Sequence, residues 1–161
     1  MTVSTLAWAI GSWVQARLNQ AWEGTRLVRT GLLLILAGTA GMAWQLHPDV
    51  PVWEAFVAWS AAGLGMGLSY APTSLMMMRA APMGREGWAS ASLNLADVLG
   101  IALGIGMGGA AVAAVSRGTR PLAGGVLIAF GVAALAAVLA IVIAGRLPGS
   151  LQHSHTEPVT R

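Results

Sequence analysis

The sequence predicts an all-α fold, a polytopic bundle of transmembrane helices with about five spans. Three observations carry that expectation. Of 161 residues, 56% are hydrophobic and only 9% are charged, with a mean hydropathy of +0.69, against about 25% charged residues in a soluble domain. The apolar residues fall in long runs, and a span needs roughly 20 of them at about 1.5 Å rise each. Most of the charge falls in the stretches between the runs, and every one of the nine basic residues is Arg.

The runs cover about residues 2–16, 27–46, 52–78, 88–115 and 122–144. The last four are long enough to span; the first falls short. "HPDVP" at His47–Pro51 and "SRGTRP" at Ser116–Pro121 punctuate the chain with Pro and Gly, which stop helices. "RLNQAWEGTR" at Arg17–Arg26 and "RAAPMGREG" at Arg79–Gly87 are the charged connectors. The transmembrane region is expected over 1–145, and the polar, Pro-containing stretch 146–161 is expected to be a disordered cytoplasmic tail.

The formal net charge of +3 and the sequence pI near 11.1 raise the question of nucleic acid. The Arg residues are scattered between apolar runs, and membrane topology accounts for them better. Without Cys there is no disulfide framework or thiolate metal site. His153 and His155 in the tail are the one pair with metal-ligand chemistry, and two His on a floppy tail are expected to be incidental, so no metal or cofactor is expected. An enzyme is not expected either, since no His pair, close carboxylate pair or nucleophile with a base lies within the runs.

Arg17, Arg26, Arg29, Arg79, Arg85, Arg146 and Arg161 fall in the first and third connectors and the tail. Arg117 and Arg120 fall in the others. The positive-inside rule places the richer set in the cytoplasm, with the C-terminus. Five spans then put Met1 outside on a short helix with no charged leader, and the expectation is the C-terminal part of something longer.

Within the fourth run, Asp97 stands about a third of the way along. On a helical wheel Ser90, Asn94, Asp97, Gly104 and Gly108 share an arc of about 80°, opposite Leu95, Leu99, Ala102 and Gly106. A carboxylate at the bilayer centre costs about 2.5–3.5 kcal/mol on insertion scales, so it should face a partner, a cavity or water. It is either a protonatable group beside a path, or an acid hydrated near the cytoplasmic end or bonded to a neighbouring helix. Gly100, Gly104 and Gly108, with Gly63 and Gly67 in the third run, are spaced for close helix packing. Pro72 removes a backbone donor inside the third run and predicts a kink. Tyr70, Thr73 and Ser74 lie on one face beside it, fit either to line a cavity or to satisfy freed carbonyls. Trp22, Trp44, Trp53 and Trp88 fall near interfaces, and Trp8, Trp13 and Trp59 lie deeper.

"LAWAIGSWVQARL" (Leu6–Leu18), "GTRLVRTGLLLILAGTAGMA" (Gly24–Ala43) and "AAGLGMGLSYAPTSLMMMRAAPMGREGWASASLNLADVLGIALG" (Ala61–Gly104) resemble the C-terminal half of major facilitator superfamily transporters. The nearest likeness is to drug-exporter-like bacterial members. The resemblance covers nearly everything from Leu6 to Gly145 and implies the last five spans of a twelve- or fourteen-span protein. The first connector stands where the family has a second, degenerate "GxxxDRxGRR" loop. Gly11 matches its first Gly, and Arg17, Arg26 and Arg29 supply the basic residues. Gln15 stands at the acidic position, and extra residues separate Arg17 from Gly24.

The resemblance implies transmembrane transport, a proton-coupled efflux of a small amphipathic molecule in the bacterial inner membrane. Asp97 would be the proton-coupling residue, and Asn94, Tyr70, Thr73 and Ser74 would flank the path. The expected partners are the lipid bilayer and a missing N-terminal half, without which the chain is expected to be inactive. The alternative is a small non-transporting helical membrane protein, acting as an assembly or regulatory partner or left as a truncated remnant.

Overall fold

The computed structural model describes residues 2–18, 22–116 and 122–146. They form five α-helices and no strand: α1 Thr2–Leu18, α2 Gly24–Trp44, α3 Val52–Ala80, α4 Glu86–Ser116 and α5 Leu122–Arg146. Arg117, Arg120, Arg161 and the tail with His153 and His155 lie outside the described residues.

Three of these helices, α2, α4 and α5, are long and apolar enough to cross a membrane, with best-window mean hydropathies of 1.5, 2.1 and 3.0. The sequence reading placed α3 with them, and its 29 residues suffice for length, at about 44 Å. α3, the central helix, has no stretch that reaches the mean hydropathy of those three. Its buried residues are Ala58, Gly63, Gly65, Gly67, Leu68, Ser69 and Pro72. A helix flanked by other helices is selected for close approach rather than for solubility in hydrocarbon. The 17 residues of α1 reach only about 26 Å, short of the hydrocarbon thickness of about 30 Å.

Glycine on one helix against backbone on the next builds the central layer. A methyl added at Gly11 of α1 would stand 2.5 Å from the Leu64 carbonyl oxygen of α3, and one at Gly63 would stand 2.6 Å from that of Ser4. Gly67 lies as tightly against the Trp8 carbonyl. Ser4 opposite Gly63 and Trp8 opposite Gly67 make α1 and α3 parallel. On the other side of α3, Gly31 faces Gly65 and Ser69, and Gly38 faces Ala58 and Ala62. The order reverses there, so α2 runs antiparallel to α3. Gly125 of α5 meets Val112 of α4, and Gly145 meets Arg29 of α2. The most extensive pairings are α2 with α3 and α1 with α3; α2 with α5 and α4 with α5 follow, and α3 touches α4 only lightly.

This up-and-down order brings the end of α1, the start of α2, the end of α3, the start of α4 and the end of α5 to one end of the bundle. Arg17, Arg26, Arg29, Arg79, Arg85 and Arg146 are all carried there, accompanied by Glu23 and Glu86. The opposite end carries His47, Asp49 and Glu54 among the described residues.

The α4 glycines depart from their expected role. Gly100, Gly104, Gly106 and Gly109 have nothing within 4 Å of where a side chain would begin, and Gly108 reaches only the Ala129 methyl, at 3.6 Å. From Val98 to Met107 every residue of α4 is exposed. The helix is held at its two ends, and its middle stands clear of the other described residues.

Candidate functional site

A tight turn sets the geometry of the α3–α4 hairpin. Gly84 adopts φ +82°, where a side chain is strained. Its N–H donates to the Glu86 carboxylate at 3.2 Å, and the Arg85 N–H donates to the Pro82 carbonyl at 3.0 Å. Glu86 also places an acid in the first turn of α4, where the helix dipole favours it.

From this turn, equal distances along two antiparallel helices fix a common depth. Tyr70 lies ten residues before the end of α3 at Ala80, and Asp97 eleven after the start of α4 at Glu86. At 1.5 Å per residue both stand about 15–17 Å from the Arg-bearing end, near half of a bilayer core. The Tyr70 hydroxyl donates to Asp97 Oδ2 at 3.2 Å. Trp8, ten residues before the end of α1, reaches the same level. Its ring meets that of Tyr70 edge-on, with centroids 6.4 Å apart and planes at 68°. One layer thus joins α1, α3 and α4 through an indole, a phenol and a carboxylate.

Asp97 is half-buried, and Tyr70 and Trp8 are partly exposed, at 43% and 45%. Among the described residues no guanidinium pairs with Asp97: the ion pair found there joins Arg26 to Glu23 at 3.9 Å, at the Arg-bearing end of the bundle. The carboxylate therefore rests on a neutral hydroxyl donor. Proton uptake at Asp97 would remove the charge that strengthens this bond.

The other residues singled out from the sequence divide. Asn94, one turn before Asp97, is exposed, and its side chain makes no hydrogen bond among the described residues. Thr73 turns back along its own helix, its hydroxyl donating to the Ser69 carbonyl at 2.7 Å, and Ser69 does the same to Gly65 at 2.9 Å. Neither hydroxyl reaches the Leu68 carbonyl, which Pro72 frees by lacking an N–H. Ser74 is half-buried, and α3 runs as one continuous helix through the buried Pro72.

The three basic residues of the first connector do not form one site. Arg17 lies over the Trp13 ring at 4.9 Å, Arg26 faces Glu23, and Arg29 reaches Gly145. Gln15, at the position where the resemblance puts an acid, is buried. Among the described residues no group of three or more His, Asp or Glu could hold a metal.

Sequence reasoning missed the Trp8–Tyr70 contact and the Arg29–Gly145 contact. It also passed over Gly31, Gly38, Gly65 and Gly125, which pack more closely than the α4 glycines it named. Counting residues from the Gly84 turn would have paired Tyr70 with Asp97. No comparable count would have found the glycines. No protein-family model, curated protein or solved structure matches this chain.

Proposed function

We infer that this chain is one part of a secondary active transporter of the major facilitator type, in which all five helices cross the membrane. The Arg-bearing end faces the cytoplasm of a bacterial inner membrane, by the positive-inside rule. The substrate is a small amphipathic molecule, and its efflux is coupled to protons through Asp97. Tyr70 and Asn94, with Thr73 and Ser74, flank the path.

The observation behind this reading is the Tyr70–Asp97 hydrogen bond at mid-depth. It ties α4 to α3 across a lightly packed interface. A carboxylate there carries an insertion cost of about 2.5–3.5 kcal/mol, which a proton relay explains and a lipid-facing helix does not. Protonation loosens the tie and lets α4 shift against α3, the kind of motion alternating access requires. The uncovered middle of α4 supports the word "part": a closed path at that level needs further helices.

The test begins with the reading frame upstream of Met1, which this reading expects to encode seven or more further spans. The complete frame is then expressed in an efflux-deficient bacterium, and export of an amphipathic dye is followed with and without a proton gradient. Gradient-dependent export that disappears in Asp97→Asn supports the assignment. Export indifferent to Asp97→Asn refutes it. A stop codon upstream would instead favour a non-transporting partner that offers the open face of α4 to another membrane protein.

A further inference from the structure

A second site lies at the Arg-bearing end of the α2–α5 seam, away from the Tyr70–Asp97 layer. Arg29, one and a half turns into α2, extends its guanidinium across the seam, with Nη2 2.9 Å from where a methyl on Gly145 would stand. The absence of a side chain at Gly145 is what lets it lie there. Arg146 is the next residue, and both guanidinium-bearing side chains are exposed. Neither has an acid within ion-pair distance among the described residues; Glu23 is engaged, at 3.9 Å, with Arg26.

Arg29 and Arg146 thus bring two positive charges to one end of this seam, with no acid in ion-pair distance among the described residues to balance them. The C-terminal end of a helix such as α5 carries only partial negative charge, and a guanidinium has donors to spare. On each helix the residue four positions deeper is an exposed aliphatic: Leu33 below Arg29, 54% exposed, and Val142 below Arg146, 49% exposed. Residues four apart share a helix face. The seam therefore presents guanidinium at the end and hydrocarbon one turn further in, on both sides. α2 and α5 are also two of the three helices apolar enough to span, so this end of the seam stands at headgroup level.

We propose that Arg29 and Arg146 form a binding site for the phosphate of an anionic phospholipid, whose acyl chains run along Leu33 and Val142. The amphipathic arrangement selects lipid phosphate over free phosphate. The proposal needs only that α2 and α5 span a membrane and is independent of any transport activity.

The test is competition of phosphatidylglycerol against phosphatidylcholine for the purified chain in nanodiscs, read by native mass spectrometry of the released complex. Arg146→Gln leaves the Arg29–Gly145 contact intact and should weaken phosphatidylglycerol retention about 5-fold. The double variant Arg29→Gln/Arg146→Gln should weaken it about 30-fold, about 2 kcal/mol at about 1 kcal/mol per basic residue. Arg79→Gln and Arg85→Gln, at the same end but off the seam, should retain the preference. The proposal is overturned if the double variant keeps the preference, or if Arg79→Gln and Arg85→Gln abolish it equally. It is also overturned if inorganic phosphate at matched concentration displaces phosphatidylglycerol from the mixed discs.

Discussion

Alanine substitutions at two glycines, Gly31 and Gly104, should have opposite consequences. At Gly31 the new methyl would stand 2.6 Å from the Gly65 carbonyl oxygen and 2.8 Å from the Ser69 Cβ. Ordinary contacts lie at about 3.5–4.0 Å, so α2 and α3 must separate by about 1 Å at their crossing. The backbone on both sides is helical and cannot yield locally. Overpacking of this kind costs about 1–3 kcal/mol. At about 2–4 °C per kcal/mol for a chain of this size, Gly31→Ala should lower the melting temperature by roughly 2–12 °C. At Gly104 nothing lies within 4 Å, and Ala exceeds Gly in helix propensity by up to about 1 kcal/mol, so Gly104→Ala should melt with the wild type or slightly above it. Tryptophan fluorescence melting in one detergent, on all three proteins, measures both. Equal melting of Gly31→Ala and wild type would refute the packing argument, as would a loss at Gly104 matching that at Gly31. If a longer parent chain exists, Gly104→Ala becoming disruptive there would reveal a helix seated on α4.

The Tyr70–Asp97 bond should show as coupling. Tyr70→Phe and Asp97→Asn should each destabilise modestly, by about 0.5–1.5 kcal/mol for a partly exposed bond, and the double variant by less than their sum; additivity in denaturant melts would mean the groups are not joined. Trp8→Ala removes the edge-on contact with Tyr70 and should cost a further 0.5–1.5 kcal/mol or so beyond lost area, read by the same melts. Gly145→Ala presses only on the flexible end of Arg29, so its loss of melting temperature should be well below that of Gly31→Ala. For topology, Met83→Cys in the α3–α4 turn, where Met83 is 99% exposed, should label from the cytoplasmic side. Asp49→Cys between α2 and α3 should label from the other; labelling of both from one side would refute the up-and-down crossing.

The apolar runs determined where helices form. A membrane admits few other backbone states, because every peptide group must bond within its own segment, so composition and run length sufficed. Pro, Gly and charge in "HPDVP" and "RAAPMGREG" determined where helices stop. The Arg asymmetry was legible too, and the up-and-down packing gathers the described members of the larger set at one end. Depth was legible for the Tyr70–Asp97 pair in principle, since a tight turn between two long helices fixes their register.

Only the tertiary structure decided which glycines pack. Gly65 and Gly104 sit in similar small-residue sequences, yet one meets the backbone of α2 and the other meets nothing. Spacing states which residues share a face, but not whether a neighbour stands against it. That depends on helices distant in the chain. The same reason explains α3. Its modest apolarity makes it a poor span by composition, while its position between α1 and α2 lets glycine and serine take the place of hydrocarbon. Arg29 is the third case. The sequence offered it as one basic residue of a connector. The α2–α5 seam, closed by the missing side chain of Gly145, is what sets it against the end of α5.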